Sequence, residues 1–281
     1  ALRAQEQRTV AERSTQGGTI ELHSQGETLV ESGVDFDVSG GSLKYTVGNV
    51  KNTLLTSNGK LIDIADTDAE TYFDGISTRY VIDFGRWNRK EVIDLGQSYR
   101  YDPGYTEGKD AGAVSVFGMN GTVMQAGIAG RTVTGERQRE NGVMPRGARL
   151  TLGYDDITAV DLNKGSDGYQ DYKLNQRVEM ASTGALLPAG FGFGDALPDE
   201  LKATLTLDPT LVGEGRVAEL SIYSNQAVEV RDSLAAPING AVMITAPEVS
   251  IGADIGAGTI DIAARFVKDQ PTPAMPAIDV A

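Results

Sequence analysis

Few residues in this chain could start a reaction. His23 is the only histidine and there is no cysteine. Thiolate nucleophiles, disulfides and cysteine-based metal sites are therefore excluded together. A Ser-His-Asp arrangement would have to use His23, which lies in TIELHSQG (19–26), and no Gly-x-Ser-x-Gly elbow presents a serine to it. One imidazole without thiolates leaves no zinc set. Carboxylates are abundant at Asp35, Asp37, Asp63, Asp66, Asp68, Asp155, Asp156, Asp167 and Asp171, and paired acids can hydrolyse glycosides. Outward acids on alternating strands are also what a solvated sheet face needs, and that reading is favoured. DLNKGSDGYQD (161–171) is oxygen-rich like a calcium loop but lacks the EF-hand spacing and its closing Glu. The expectation is no enzyme: no catalytic, cofactor-binding or metal-ligating residue.

Binding chemistry has better material. Tyr80, Arg86, Trp87, Arg89, Tyr99, Arg100, Tyr101 and Tyr105 gather in one region, and Tyr, Trp and Arg are the types enriched in binding hot spots. They could stack on sugar rings or meet a partner protein. The competing reading gives the aromatics to a small core of that region's own, and it is preferred on the sequence. In YDPGYTEGKDAGAVSV (101–116), Asp102-Pro103-Gly104 is turn chemistry, with Pro fixing φ and Gly supplying φ > 0. Tyr99, Tyr101 and Tyr105 are then expected to clamp the region against the outer face of a larger body, and Ala113-Val114-Ser115-Val116 to re-enter it.

The net charge of −14 argues against nucleic acid, whose phosphates need a basic patch, and disfavours an anionic membrane surface. No apolar run is long enough for a membrane-spanning helix. The N-terminus shows neither Met nor a charged-then-apolar signal pattern, so the chain is expected to be a processed or excised piece.

The elements that must position these residues read as strands. Thr19-Ile20-Glu21-Leu22, Val34-Asp35-Phe36-Asp37-Val38, Arg149-Leu150-Thr151-Leu152 and Glu219-Leu220-Ser221-Ile222 alternate with period two, as a strand with one buried face does. Helical periodicity is nearly absent. AELSI, GAVMI and GTIDI begin at 218, 240 and 258, offsets of 22 and 18 residues, and GTIEL and GSLKY are 23 apart. A period near 20 holding two or three short strands points to a parallel β-helix, an all-β solenoid in which each repeat is one coil. Inward positions would be Ile20, Leu22, Phe36, Val38, Leu220, Ile222, Val242, Ile244, Ile260 and Ile262. An antiparallel sandwich is the alternative, and the four Asn-Gly pairs at 58–59, 120–121, 141–142 and 239–240 keep it open.

The expected organisation is a lead-in over 1–16, a helical turn or two or unstructured, then a β-helix over 17–266. Projecting inserts would fall at about 46–112 and 153–200, and a proline-rich tail or linker over 267–281.

VDFDVSGG (34–41), LLTSNGKLIDIADTDAETYFDGI (54–76), GRW (85–87), YDPGYTEGKDAGAVSV (101–116) and NGTVMQAGIAGRTVTGERQ (120–138) follow one another in an order that resembles an internal region of filamentous-haemagglutinin-like exoproteins of Gram-negative bacteria. The likeness covers roughly residues 17–140. It implies a right-handed parallel β-helix adhesin, exported through an outer-membrane transporter by two-partner secretion and displayed at the cell surface or released. It also implies roles in adhesion, filament or biofilm formation, without a cofactor. Partners would be carbohydrate or protein on a host or neighbouring cell, with homotypic filament contacts. The family's secretion signature, of Asn-Pro-Asn-Gly type, is not in this sequence, so export belongs to a parent chain. Two other roles fit the same expected rod: a polysaccharide-degrading β-helix, and the stalk of a contact-dependent toxin-delivery protein.

Overall fold

Alternation decides which side chains go inside, and pairing direction decides how the strands stack. The computed structural model describes residues 16–77, 79–94, 98–153, 173–192, 194–265 and 277–280. Among them strands dominate, helices are few and short, and the chain divides into two compact units, one made of 1–43 with 107–281 and one of 44–106.

In the larger unit a six-stranded sheet runs in the order Thr19–Ser24, Ala113–Gly118, Ala148–Leu152, Val217–Tyr223, Ala241–Ala246, Thr259–Ala264, with every neighbouring pair parallel. The register sets one aliphatic column, Ile20, Val114, Leu150, Leu220, Val242 and Ile260, beside another, Leu22, Val116, Leu152, Ile222, Ile244 and Ile262. A five-stranded sheet does the same with Leu205, Val178, Val228, Val249 and Ile278, each over the next, also in parallel. Shorter parallel pairs join Glu27–Val30 to Gly121–Met124, Asp35–Asp37 to Gly127–Ala129, and Leu234–Ala235 to Ile255–Gly256. Side chains from all these ladders enter one apolar cluster. Each fully buried Leu, Ile or Val contributes about 1.5–3 kcal/mol relative to exposure.

Burial along the columns departs from the sequence expectation at the ends. Leu220, Ile222, Val242, Ile244 and Val38 are buried, while Ile20, Leu22, Phe36 and Ile262 only pack against the cluster. Ile260, expected inside, is 47% exposed. It lies on the last strand of its sheet, and among the described residues no strand pairs beyond it.

The region 153–200 is not simply a break in the pattern. Its strand Arg177–Met180 is interior to the five-stranded sheet, and Thr204–Leu207 pairs on the side away from Val228–Val230. The chain therefore doubles back before continuing. Leu197 and Leu201, from the segment leading into and through the short helix Asp199–Ala203, form a second small cluster with Val123. The calcium-loop candidate 161–171 and Asp155, Asp156, Asp167 and Asp171 lie outside the described residues, as do 1–15 and most of the proline-rich tail.

The smaller unit is built on antiparallel pairs. Gly48–Asn52 pairs with Ser98–Asp102, Leu54–Ser57 with Lys60–Asp63 and Gly75–Ile76, and Arg79–Phe84 with Arg89–Asp94. Asn58 and Gly59 have φ of 51° and 72°, the left-handed pair of a tight hairpin turn. The other Asn-Gly pairs do different work: Asn120-Gly121 opens the short strand at a corner, and Gly142 follows the short helix Glu136–Glu140. Residues 107–112, expected within the insert, belong to the parallel unit, tied by Lys109 N–H to Gly41 O, Ala111 N–H to Arg146 O and Gly112 N–H to Val38 O.

Candidate surface for a binding partner

The strand Ser98–Asp102 lies in register with Gly48–Asn52, setting Tyr99 opposite Lys51, Arg100 opposite Val50 and Tyr101 opposite Asn49. Directly opposed residues share a face, and residues two apart on one strand share it too. Tyr99, Tyr101, Lys51 and Asn49 therefore stand on one face, with Arg100 and Val50 on the other. Tyr99 is 60% and Tyr101 65% exposed. The two rings, about 7 Å apart along the strand, present flat apolar surface flanked by an ammonium and an amide. Arg100 is held on the reverse side by Asp63 at 3.2 Å, and the same carboxylate accepts from Asn52 at 2.7 Å. It is a positioned charge rather than a contact residue.

Arg86, Trp87 and Arg89 sit elsewhere, at the turn of the hairpin Arg79–Phe84/Arg89–Asp94. Asn88 at φ 49° closes the turn, and Trp87 packs at an angle on Phe84 with ring centroids 6.2 Å apart. Trp87 is nevertheless 73% exposed. Tyr80 is in the same hairpin, and its side chain lies outside the described residues. Tyr105 stacks on Tyr45 at 4.4 Å, in the paired strands Ser42–Tyr45 and Tyr105–Gly108.

The eight predicted residues thus fall into three groups on separate strand pairs. The preference for packing does not describe Trp87, Tyr99 and Tyr101, which are mostly exposed. Two- and three-stranded ribbons have too little buried volume to enclose rings that large. Lys51 and Asn49 went unnoticed in the sequence because only the pairing register shows that they border the tyrosines.

In the larger unit the candidate groups make the following contacts. His23 Nε2 lies 2.9 Å from Ser115 Oγ on the neighbouring strand, on the exposed face. An open cleft of about 740 Å3 is lined by Asp35, Asp37, Arg131, Asp208, Glu214 and Arg216 among others. Asp37 accepts from Ser39, whose hydroxyl and N–H hold its carboxyl below the ordinary value. It is an ionised acceptor, the wrong state for a general acid at neutral pH. Asp208 receives the N–H of Thr210, and Arg216 donates to Thr210 O. Asp68 in the smaller unit is likewise lowered by Thr71. Among the described residues no cluster of three His, Asp or Glu could hold a metal ion. Comparisons of the chain with family models, with curated proteins and with solved structures returned no match.

Proposed function

We propose that this chain is a segment of a right-handed parallel β-helix belonging to a large exported surface protein of a Gram-negative bacterium, and that it serves as a stiff adhesive scaffold. The observation that carries the scaffold half is the pair of six-membered aliphatic columns in parallel register. Val217–Tyr223, Val228–Val230 and Leu234–Ala235 are followed by Ala241–Ala246, Glu248–Ile251 and Ile255–Gly256, each pairing in parallel with its predecessor. This order supports reading the chain as turning three corners per winding. Parallel strands joined across one sheet are right-handed almost without exception. The adhesive half rests on the exposed Tyr99/Tyr101 face. Its partner would be a glycan or a protein on another cell, with the tyrosine rings stacking and Lys51 and Asn49 donating.

The test is binding of the purified chain to immobilised glycans and to cultured cells. The double variant Tyr99→Ala/Tyr101→Ala, altered only at exposed positions, should keep its thermal midpoint and lose binding about ten-fold or more. Equal binding by the two proteins refutes the assignment of that face.

A second reading, a polysaccharide-degrading enzyme, is favoured by one feature, the acid-lined cleft around Asp35 and Asp208. New reducing ends from acidic or neutral glycans would establish it.

A further inference from the structure

The hairpin carrying Trp87 differs from every other ribbon in what it exposes. Its two strands pair only with each other among the described residues. A lone two-stranded hairpin is marginally stable in water, so a partner that covers it is worth free energy to the fold itself. Every residue from Gly85 to Glu91 is exposed, Ile82 is 40% exposed, and Trp87 leans on Phe84. The turn Phe84–Lys90 holds three cations, Arg86, Arg89 and Lys90, and no carboxylate. Lys90 is paired with Asp83 at 3.2 Å, across the strands.

This is an apolar tip with Arg86 and Arg89 beside it, and the carboxylates Asp83 and Glu91 stand one step further down the strands, Asp83 facing Lys90 and Glu91 facing Ile82. Trp is suited to a boundary that is apolar on one side and wet on the other, and arginines beside it can reach phosphates while their stems stay in apolar surroundings. We infer that this hairpin tip docks on a lipid surface bearing anionic headgroups, with Trp87 and Phe84 entering the headgroup–acyl boundary and Arg86 and Arg89 meeting lipid phosphates. A soluble glycan fits less well. Apart from the cations, only the Asn88 amide and the Trp87 indole N–H could hydrogen-bond a sugar hydroxyl from this turn. The chain's charge of −14 does not oppose this locally. The unit 44–106 holds eight Lys and Arg against nine Asp and Glu, a net charge of −1, and exposed charges more than about 8 Å away are largely screened at physiological salt.

The inference is independent of the Tyr99/Tyr101 assignment and is tested separately. Trp87 is the only tryptophan, so tryptophan emission reports on this tip alone. The chain is titrated with phosphatidylcholine vesicles, with vesicles containing phosphatidylglycerol, and with soluble dextran sulfate; co-sedimentation is measured in parallel. A blue shift and co-sedimentation with the anionic vesicles are expected. Arg86→Gln/Arg89→Gln should weaken binding about thirty-fold, each arginine being worth about five-fold near an anionic surface. Trp87→Ala should also weaken sedimentation, and Tyr99→Ala/Tyr101→Ala should leave it unchanged. The inference is overturned by unchanged emission with anionic vesicles, by Trp87→Ala sedimenting like the parent, or by an equal shift with dextran sulfate.

Discussion

Gly112 shows what a single residue does in this stack. A Cβ at that position would stand 1.7 Å from Gly18 O, whereas a Cβ on Gly18 would meet nothing within 4 Å. Gly112→Ala must push two backbones apart and should lower stability by about 1–3 kcal/mol, while Gly18→Ala should be nearly neutral; urea unfolding of both variants measures the contrast. Nothing in the local sequence separates the two, because the obstacle lies more than ninety residues away along the chain. Asp232 makes a second case. Its Oδ2 accepts from the N–H and the hydroxyl of Ser182 at 2.7 and 2.6 Å, and these bonds lower its pKa below 3.8. A depressed carboxylate stabilises fully above its unfolded pKa, and that contribution fades as pH falls through the folded value. Asp232→Asn should therefore unfold at lower urea than the parent at pH 7, with the gap narrower at pH 3. The aromatic residues could be singled out in the sequence by type alone. Their division among three ribbons could not be, since it depends on pairing between strands as far apart as 48–52 and 98–102.

At the scale of the element, position in the column governs cost. Leu150 is fully buried with Val114 on one side and Leu220 on the other, so Leu150→Ala should cost about 2–5 kcal/mol. Ile260 caps the same column at 47% exposure, and Ile260→Ala should cost under about 1 kcal/mol. Thermal or urea unfolding of the two variants decides whether they share one column. Alternation exposed these strands in the sequence, and the near-20-residue spacing suggested their stacking. Spacing failed at Arg177–Met180, because its strand is followed by a doubling-back that no fixed period anticipates. It failed also at 107–112, where a polar, glycine-rich segment looks like loop but is pinned by backbone hydrogen bonds to Gly41, Arg146 and Val38.

For the whole molecule, the two units follow different pairing rules, parallel in one and antiparallel in the other. Within the smaller unit the two ends of its chain lie side by side: a Cβ on Gly104 would come 2.6 Å from Tyr45 O. Replacing 46–104 with a short glycine-containing turn should leave the parallel unit folded, with its unfolding midpoint close to the parent's. It should abolish binding at both the Tyr99/Tyr101 face and the Trp87 tip. The stacking itself is best tested by disulfide trapping, which the absence of cysteine makes clean. Neighbouring strands lie about 4.8 Å apart, inside the Cα range a disulfide spans. With Glu219 paired to Ala241 and Tyr223 to Thr245, the double variants Glu219→Cys/Ala241→Cys and Tyr223→Cys/Thr245→Cys should both cross-link on mild oxidation. Glu219→Cys/Thr245→Cys should not. Cross-linking of that third variant, with failure of the first two, would mean that these strands run in opposite senses, and it would contradict the parallel stack on which the scaffold rests.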